Sequence, residues 1–183
     1  MNCEEIVLPA LRVSLPLVKE SLRCLVSTIL FTRSIGGNAA REPKIRKSEI
    51  LQLEYCHTDD ELELTHYADK TLLVNFYLPR PKKTSLWDIL SQPFQEKAVF
   101  ERWRIPVAVA AGLEDEEEEV KEAREQVRIC IRTICKKMNE KIDHLPPPPM
   151  DRPTYHFEIT CGEQAPWSPR SIARSIKNIP FIT

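Results

Sequence analysis

The chain has 183 residues, enough for one ordinary domain that buries roughly 70% of the surface its unfolded form exposes, so it needs no disulfide or metal staple to fold. Its 26 Lys and Arg against 27 Asp and Glu leave a net charge of -1, which excludes a whole-molecule field that would recruit nucleic acid or an anionic membrane. The six cysteines are scattered, contain no Cys-x-x-Cys pair and fall mostly at apolar positions of predicted elements, the pattern of buried thiols in a reducing compartment.

Met1 to Ala10 carries Glu4 and Glu5 where a secretory leader has a basic segment, and the longest apolar run, Leu25 to Phe31, is broken by Ser27 and Thr28 and is too short to span a bilayer. A cytoplasmic protein without a membrane span is expected. Ile6 to Val13 alternates apolar residues around Pro9, which suits an edge strand or a bulge. Ser14 is expected to cap a helix with Pro16 in its first turn and Leu15, Val18, Leu22, Leu25, Val26, Ile29 and Leu30 at helical spacing, stopped by Gly36-Gly37. Asn38 to Ser48, polar and basic with Pro43, predicts a surface loop. Leu51, Leu53 and Tyr55, then Leu62 and Leu64, alternate with polar residues on either side of His57-Thr58-Asp59-Asp60, the pattern of a hairpin.

Leu72 to Leu78 predicts a buried strand ended by Pro79. Phe100 to Ala110 predicts a long one, with Trp103, Ile105, Val107 and Val109 on one face and a bulge or an edge at Pro106. Between them, residues 80–98 form a projecting loop with a basic cluster followed by Leu86, Trp87, Ile89, Leu90 and Phe94; loops of this length are commonly functional. Glu114 to Ile142 predicts the longest helix. Val120, Ala123, Val127, Cys130, Ile131, Ile134, Met138 and Ile142 share one apolar sector, acids fill its first turns, and Lys136, Lys137 and Lys141 close it, each charge complementing the helix dipole at its own end. The misfit is Ile129, opposite that sector among Glu125, Arg132, Thr133 and Lys136: either a scattered surface isoleucine or a point of contact with a partner. A Pro-rich connector, residues 143–153, leads to a strand at Tyr155 to Thr160 and a short basic amphipathic helix at Pro169 to Ile179. This order of elements makes an α+β domain with an antiparallel sheet and helices on one face.

Reaction chemistry finds no foothold. Four glycines cannot assemble a phosphate-binding loop or a dinucleotide fingerprint, and no serine sits in a nucleophile elbow. His57, His66, His144 and His156 lack metal-site spacing with Cys or carboxylate and read as surface or interface histidines, so no catalytic residue, cofactor or metal is expected. Basic patches at Lys44-Ile45-Arg46-Lys47, at Arg80-Pro81-Lys82-Lys83 and along Arg170, Arg174 and Lys177 have only Tyr77 and Trp87 as nearby aromatics. That is charge without a stacking platform for bases, which speaks against nucleic acid.

Several short stretches occur together in one order: Met1-Asn2-Cys3, Arg33-Ser34-Ile35-Gly36, Leu73 to Tyr77 leading into Lys82-Lys83-Thr84-Ser85-Leu86-Trp87, Trp103 opening a valine-bearing strand, Lys137-Met138-Asn139 before Leu145-Pro146, and Tyr155 to Thr160. In that order the chain resembles the autophagy-related protein 101 family of HORMA-domain proteins. The resemblance implies a single HORMA domain over residues 1–183, with an antiparallel sheet and a long central helix and N-terminal helix packed on one face. It implies a non-catalytic scaffold of the autophagy-initiating kinase complex that pairs with and stabilises the HORMA domain of autophagy-related protein 13 at the preautophagosomal structure. HORMA pairs use the long helix for contact, which assigns Glu125, Arg128, Ile129 and Arg132 to the partner interface.

The family also projects a loop bearing a tryptophan and, two residues on, a phenylalanine, which recruits downstream autophagy factors. Trp87 matches the first; the second position holds Ile89, and Phe94 is the nearest phenylalanine. Exposed aromatic anchors suit such recognition, although the same side chains would also suit covering the end of the sheet. Two departures from the family stand out. The helix that precedes the Leu72 strand is reduced to Ala68 to Thr71, and the segment after the long helix is short, which implies a fixed, open-like state. The alternatives are a HORMA adaptor of the checkpoint or meiotic type that traps a partner peptide, a nucleic-acid-binding α+β domain, and a small enzyme with a polar pocket.

Overall fold

Two long strands with an imposed break in register organise the chain. The computed structural model describes residues 3–34, 44–57, 69–80, 96–112, 114–140, 143–147 and 155–164. In chain order these residues form β1 (Glu4–Val7), β2 (Leu11–Val13), α1 (Leu15–Ser34), β3 (Lys44–Ser48), β4 (Leu53–His57), β5 (Lys70–Arg80), β6 (Glu96–Val109), α2 (Glu116–Glu140) and β7 (His156–Gln164). The main sheet runs β1-β6-β5-β7, with β2 also on β6. β5 is antiparallel to both β6 and β7, whereas β1 and β2 lie parallel to β6, so the sheet is mixed rather than antiparallel throughout.

Most of the apolar patterns become burial, although Leu15 of the α1 stripe is exposed and Ile142 of the α2 stripe lies outside the described residues. Leu72, Val74 and Phe76 of β5 meet Trp103, Ile105 and Val107 of β6 and the inner faces of α1 and α2 in one core. From α2 come Ala123, Val127, Cys130, Ile134 and Met138, with Val120 and Ile131 packed beside them. Asp115 caps α2, its Oδ1 accepting the Glu117 N–H at 2.9 Å and the Glu118 N–H at 3.4 Å. Ser14 caps α1 differently from its expected role: its carbonyl closes the first turn with the Leu17 N–H at 3.0 Å, while its buried hydroxyl has no hydrogen-bond partner among the described residues.

Other expectations need correction. Lys44–Ser48 is a strand where a loop was predicted, and it forms a hairpin with β4. Its turn is closed by the Leu51 N–H donating to Ser48 Oγ at 3.1 Å and by Gln52 at φ 47°. Residues 58–68, including the second half of the expected hairpin, lie outside the described residues, as does the expected helix 169–179. Pro106 pairs regularly with Thr71; the irregularity it demands sits across from it, where β1 gives way to β2 around Pro9. The bulge in β6 is instead at Phe100, which is skipped between the pairs Phe76–Glu101 and Tyr77–Val99. β5 and β6 remain paired out to Arg80 and Glu96, so the loop between them is shorter than 80–98. Asp69, at φ 55°, enters β5 from a turn, its Oδ1 accepting the Val109 N–H at 3.0 Å.

Because of that bulge, both Phe100 and Glu101 point inward, and Glu101 is 0% exposed. A buried carboxylate is costly unless fully paired, and this one is. Arg33 donates from Nε to Oε1 at 2.8 Å and from Nη2 to Oε2 at 2.6 Å, the Trp103 indole N–H donates to Oε1 at 2.5 Å, and His144 Nε2 lies 2.7 Å from Oε2. The fork geometry of Arg33 suits a carboxylate, and the third and fourth partners saturate its remaining lone pairs. His144 is thus a partner of a buried anion and not the surface histidine expected. Cys24 and Cys130 are buried, but Cys3, Cys135 and Cys161 are exposed, so only part of the expected set of buried thiols exists.

Arg33→Met should lower the unfolding free energy by about 3–5 kcal/mol and His144→Ala by about 1–3 kcal/mol, because each leaves part of a buried anion unpaired. Urea denaturation at neutral pH measures both; losses of a few tenths of a kcal/mol for either would mean that water reaches the carboxylate. The buried thiols give a second test. Burial pushes Cys24 up to about 12, with Glu20 nearby adding to the shift, and pushes Cys130 up to about 11. Both are raised relative to the unfolded chain, so their contribution to stability is complete below the ordinary thiol range and is lost as pH rises through the folded values. Thermal stability should therefore fall above about pH 9, and Cys24→Ala Cys130→Ala should flatten that fall.

Candidate partner interface

Once the inner stripe of α2 is committed to the core, its opposite face is fixed by the helical repeat. Ile129 lies on that face and is 45% exposed, one of few large apolar side chains left open among the described residues. Its neighbours are charged and tied to one another. Glu125 receives Arg128 Nη1 at 3.4 Å on one oxygen and Arg132 Nη1 at 3.7 Å on the other, so one carboxylate holds both arginines on the same flank as Ile129. Thr133 donates to the Ile129 carbonyl at 2.9 Å, which takes its hydroxyl out of competition for a ligand. Toward the C-terminal end, Lys136 and Lys137 both pair with Glu140, and the bond from Lys137 holds that carboxyl below its usual range.

The helix is held in position on both flanks. Arg12 of β2 donates its N–H to Gln126 Oε1 at 2.7 Å, and Cys130 Sγ meets the Pro9 carbonyl at 3.7 Å. On the other flank, Arg124 donates to the Leu51 carbonyl at 2.7 Å and to Gln52 Oε1 at 3.3 Å, fastening α2 to the turn of the β3–β4 hairpin. Burial, with Cys135 adding to it, raises Cys56 of β4 above the usual thiol range. The hairpin therefore borders the exposed side of α2 from Arg124 to Cys135. Sequence reasoning missed this neighbour because Lys44–Ser48 carries no apolar alternation of its own. Ile45 and Ile50 of that hairpin are exposed as well.

The four residues expected at an interface, Glu125, Arg128, Ile129 and Arg132, thus come together as one exposed cluster. Trp87, Ile89 and Phe94 of the expected recruiting loop lie outside the described residues. The ends of the strands that carry the loop are described. Phe76 stands 6.4 Å from both Phe100 and Phe157, Phe100 meets Tyr155 edge-on at 5.0 Å, and Lys97 sits over the Tyr77 ring at 5.0 Å while pairing with Glu158. That is a stiff aromatic root. Tyr155 Oη also donates to the Pro146 carbonyl at 2.6 Å, pinning the connector after α2 to the start of β7.

Among the described residues, no group of three or more His, Cys, Asp or Glu is placed to hold a metal ion, and no helix is long and apolar enough to cross a membrane. The Glu101 cluster is chemically saturated and closed, which makes it a structural pin and not a reactive centre.

Comparison with known proteins gives the geometry a relation. The family model described as autophagy-related protein 101 matches residues 61–152, a span that includes β5, β6 and all of α2. The autophagy-related protein 101 of Arabidopsis thaliana is 28% identical over 192 residues, covering 87% of each chain.

Proposed function

The chain belongs to the autophagy-related protein 101 family, and from that premise we propose that it is a non-catalytic scaffold subunit of the autophagy-initiating kinase complex. Its mixed α+β fold is HORMA-like. In this proposal the outward face of α2 pairs with the HORMA domain of autophagy-related protein 13 and stabilises it, and the loop between β5 and β6 recruits downstream autophagy factors. The protein acts in the cytoplasm, at the preautophagosomal structure.

The observation that carries the pairing is Ile129, half-exposed at the middle of an otherwise charged helix face whose position is fixed by the core behind it. A central apolar anchor ringed by charged groups has the anatomy of a protein contact, with the ring excluding water and setting orientation. For the loop, the supporting feature is the aromatic root formed by Phe76, Phe100, Tyr155 and Phe157, which suits a projecting segment held at a fixed angle. The pinned connector, with Tyr155 bonded to Pro146 and β7 paired along β5, supports a fixed, open-like state over a belt that closes on a peptide.

Ile129→Asp should weaken binding to the HORMA domain of autophagy-related protein 13 by about 2 kcal/mol or more while leaving thermal unfolding of the free chain within a degree or two, since the residue lies outside the core. Calorimetry on the purified pair measures this, and undiminished affinity with intact folding removes α2 from the interface. Trp87→Ala separates the two roles: pairing should persist while capture of downstream factors from cell extract is lost. A Trp87→Ala chain that fails to fold would place the tryptophan in the core instead.

A further inference from the structure

The basic residues of β3 take no part in the core or in the outward face of α2. Among the described residues β3 pairs with β4 alone, in a two-stranded sheet separate from the main one, so the edge of β3 away from β4 is open. A two-stranded ribbon is marginal by itself, and an open edge presents a row of unpaired N–H and C=O groups to a strand that fits it. The register sets Ile45 opposite Cys56 and Lys47 opposite Glu54 on one face of the ribbon, and Arg46 opposite Tyr55 on the other. Leu53 and Tyr55 are buried, so the face that carries Ile45 is the outward one. Ile45 is 69% exposed, more than any other large apolar side chain among the described residues, and Arg46 and Lys47 beside it are exposed as well. Glu54 lies across the ribbon from Lys47, yet neither cation is within ion-pair distance of a carboxylate among the described residues.

We propose that the open edge of β3 takes up an acidic, extended segment of another protein as a third strand, with acidic side chains opposite Arg46 and Lys47 and an apolar one opposite Ile45. Strand addition satisfies the backbone groups of the edge, and the alternation of side chains between the two faces sets which sequence fits. Opposite charges across a strand pair attract and like charges repel, so the cations that reject a second copy of β3 are the ones that select an acidic strand. Charge alone would guard the edge against pairing; the exposed isoleucine adds a patch for an apolar side chain of the incoming strand. A lipid surface suits this edge less, because its headgroups cannot pair with the alternating N–H and C=O groups of a strand. A five-residue edge makes a small contact, at the weak and transient end of protein interfaces. The inference goes beyond the pairing proposed for α2 and does not rest on it.

The probe is a fluorescein-labelled peptide, Thr-Glu-Glu-Val-Glu-Glu-Thr, whose palindromic order meets the edge equally well in either strand direction. Its fluorescence anisotropy, titrated with the full chain, should show saturable binding that weakens as salt rises. The same peptide N-methylated on one set of alternate residues should lose binding by about tenfold or more, and N-methylated on the other set should keep it within a few-fold, because only alternate N–H groups of an added strand face the edge. Arg46→Glu Lys47→Glu should weaken binding by about tenfold or more and should favour the peptide with Lys in place of Glu. Thermal unfolding confirms that this variant folds, and the methylated pair tests the proposal on the unaltered chain in any case. Absence of saturable binding, equal binding of both methylated peptides, or indifference to the charge reversal each overturns the proposal. Co-sedimentation with phosphatidylserine vesicles is the rival measurement: capture that the charge reversal abolishes, with no saturable peptide binding, assigns the edge to lipid and overturns strand addition.

Discussion

The rest of the structure depends on a single buried anion. Glu101 is satisfied only when three segments far apart in sequence arrive together: the end of α1 with Arg33, the middle of β6 with Trp103, and the turn after α2 with His144. A carboxylate with no solvent access tolerates no half-made arrangement, since loss of any partner leaves charge or a donor exposed to apolar surroundings. The bulge at Phe100 makes this possible by turning two successive residues inward, Phe100 to the aromatic cluster and Glu101 to its partners. One irregularity in one strand thereby sets both the aromatic cluster at the ends of β5 and β6 and the anchor of α1 and α2.

That constraint reaches the surface through α2. With its end tethered near His144, its start capped by Asp115, and its flanks bonded to Pro9, Arg12 and Leu51, the helix has no freedom to rotate about its axis. Ile129 is presented where it is because Val127, Cys130 and Ile134 are already spent on the core. The affinity available from this one side chain is limited. Fully burying an isoleucine is worth roughly 1.5–3 kcal/mol, and half of this one is already covered. Ile129 alone could not hold a stable pair; in the proposed contact the charges around it would set the orientation, and further surface such as the neighbouring β3–β4 hairpin would add area.

Much of this could be read from the chain, and the failures have physical causes. The inner stripe of α2 was legible because a 3.6-residue period persists over 25 residues, and Ile129 was legible because it violates that period. β3 was not, because Lys44–Ser48 takes its conformation from pairing with β4, whose Leu53 and Tyr55 supply the burial. Alternation says that a segment is a strand but not which strand it pairs with, so the pairing of β4 with β3 was not legible either. Glu101 shares the parity of Trp103, Ile105 and Val107 and so faces inward by simple alternation, whereas the burial of Phe100 beside it could not be read because it depends on the bulge. The parallel direction of β1 and β2 belongs to the crossover through α1, which no local pattern in Ile6 to Val13 can express.

His144 and Ile129 show how differently structure and recognition write themselves into a sequence. A histidine after a helix has no local signature for the anion it will meet 43 residues away in the chain. Its role exists only in three dimensions, so pattern reading assigns it to the surface by default. An exposed isoleucine is conspicuous in one dimension, because recognition must sit on the face that folding leaves unused. The consequence is that the proposed contact face of this helix was the easier inference and its support the harder one, yet the support determines whether the face exists. A helix free to roll by one residue, about 100°, would carry Ile129 off the centre of the face and bring Arg128 or Cys130 there. Such a face would have lost its apolar anchor.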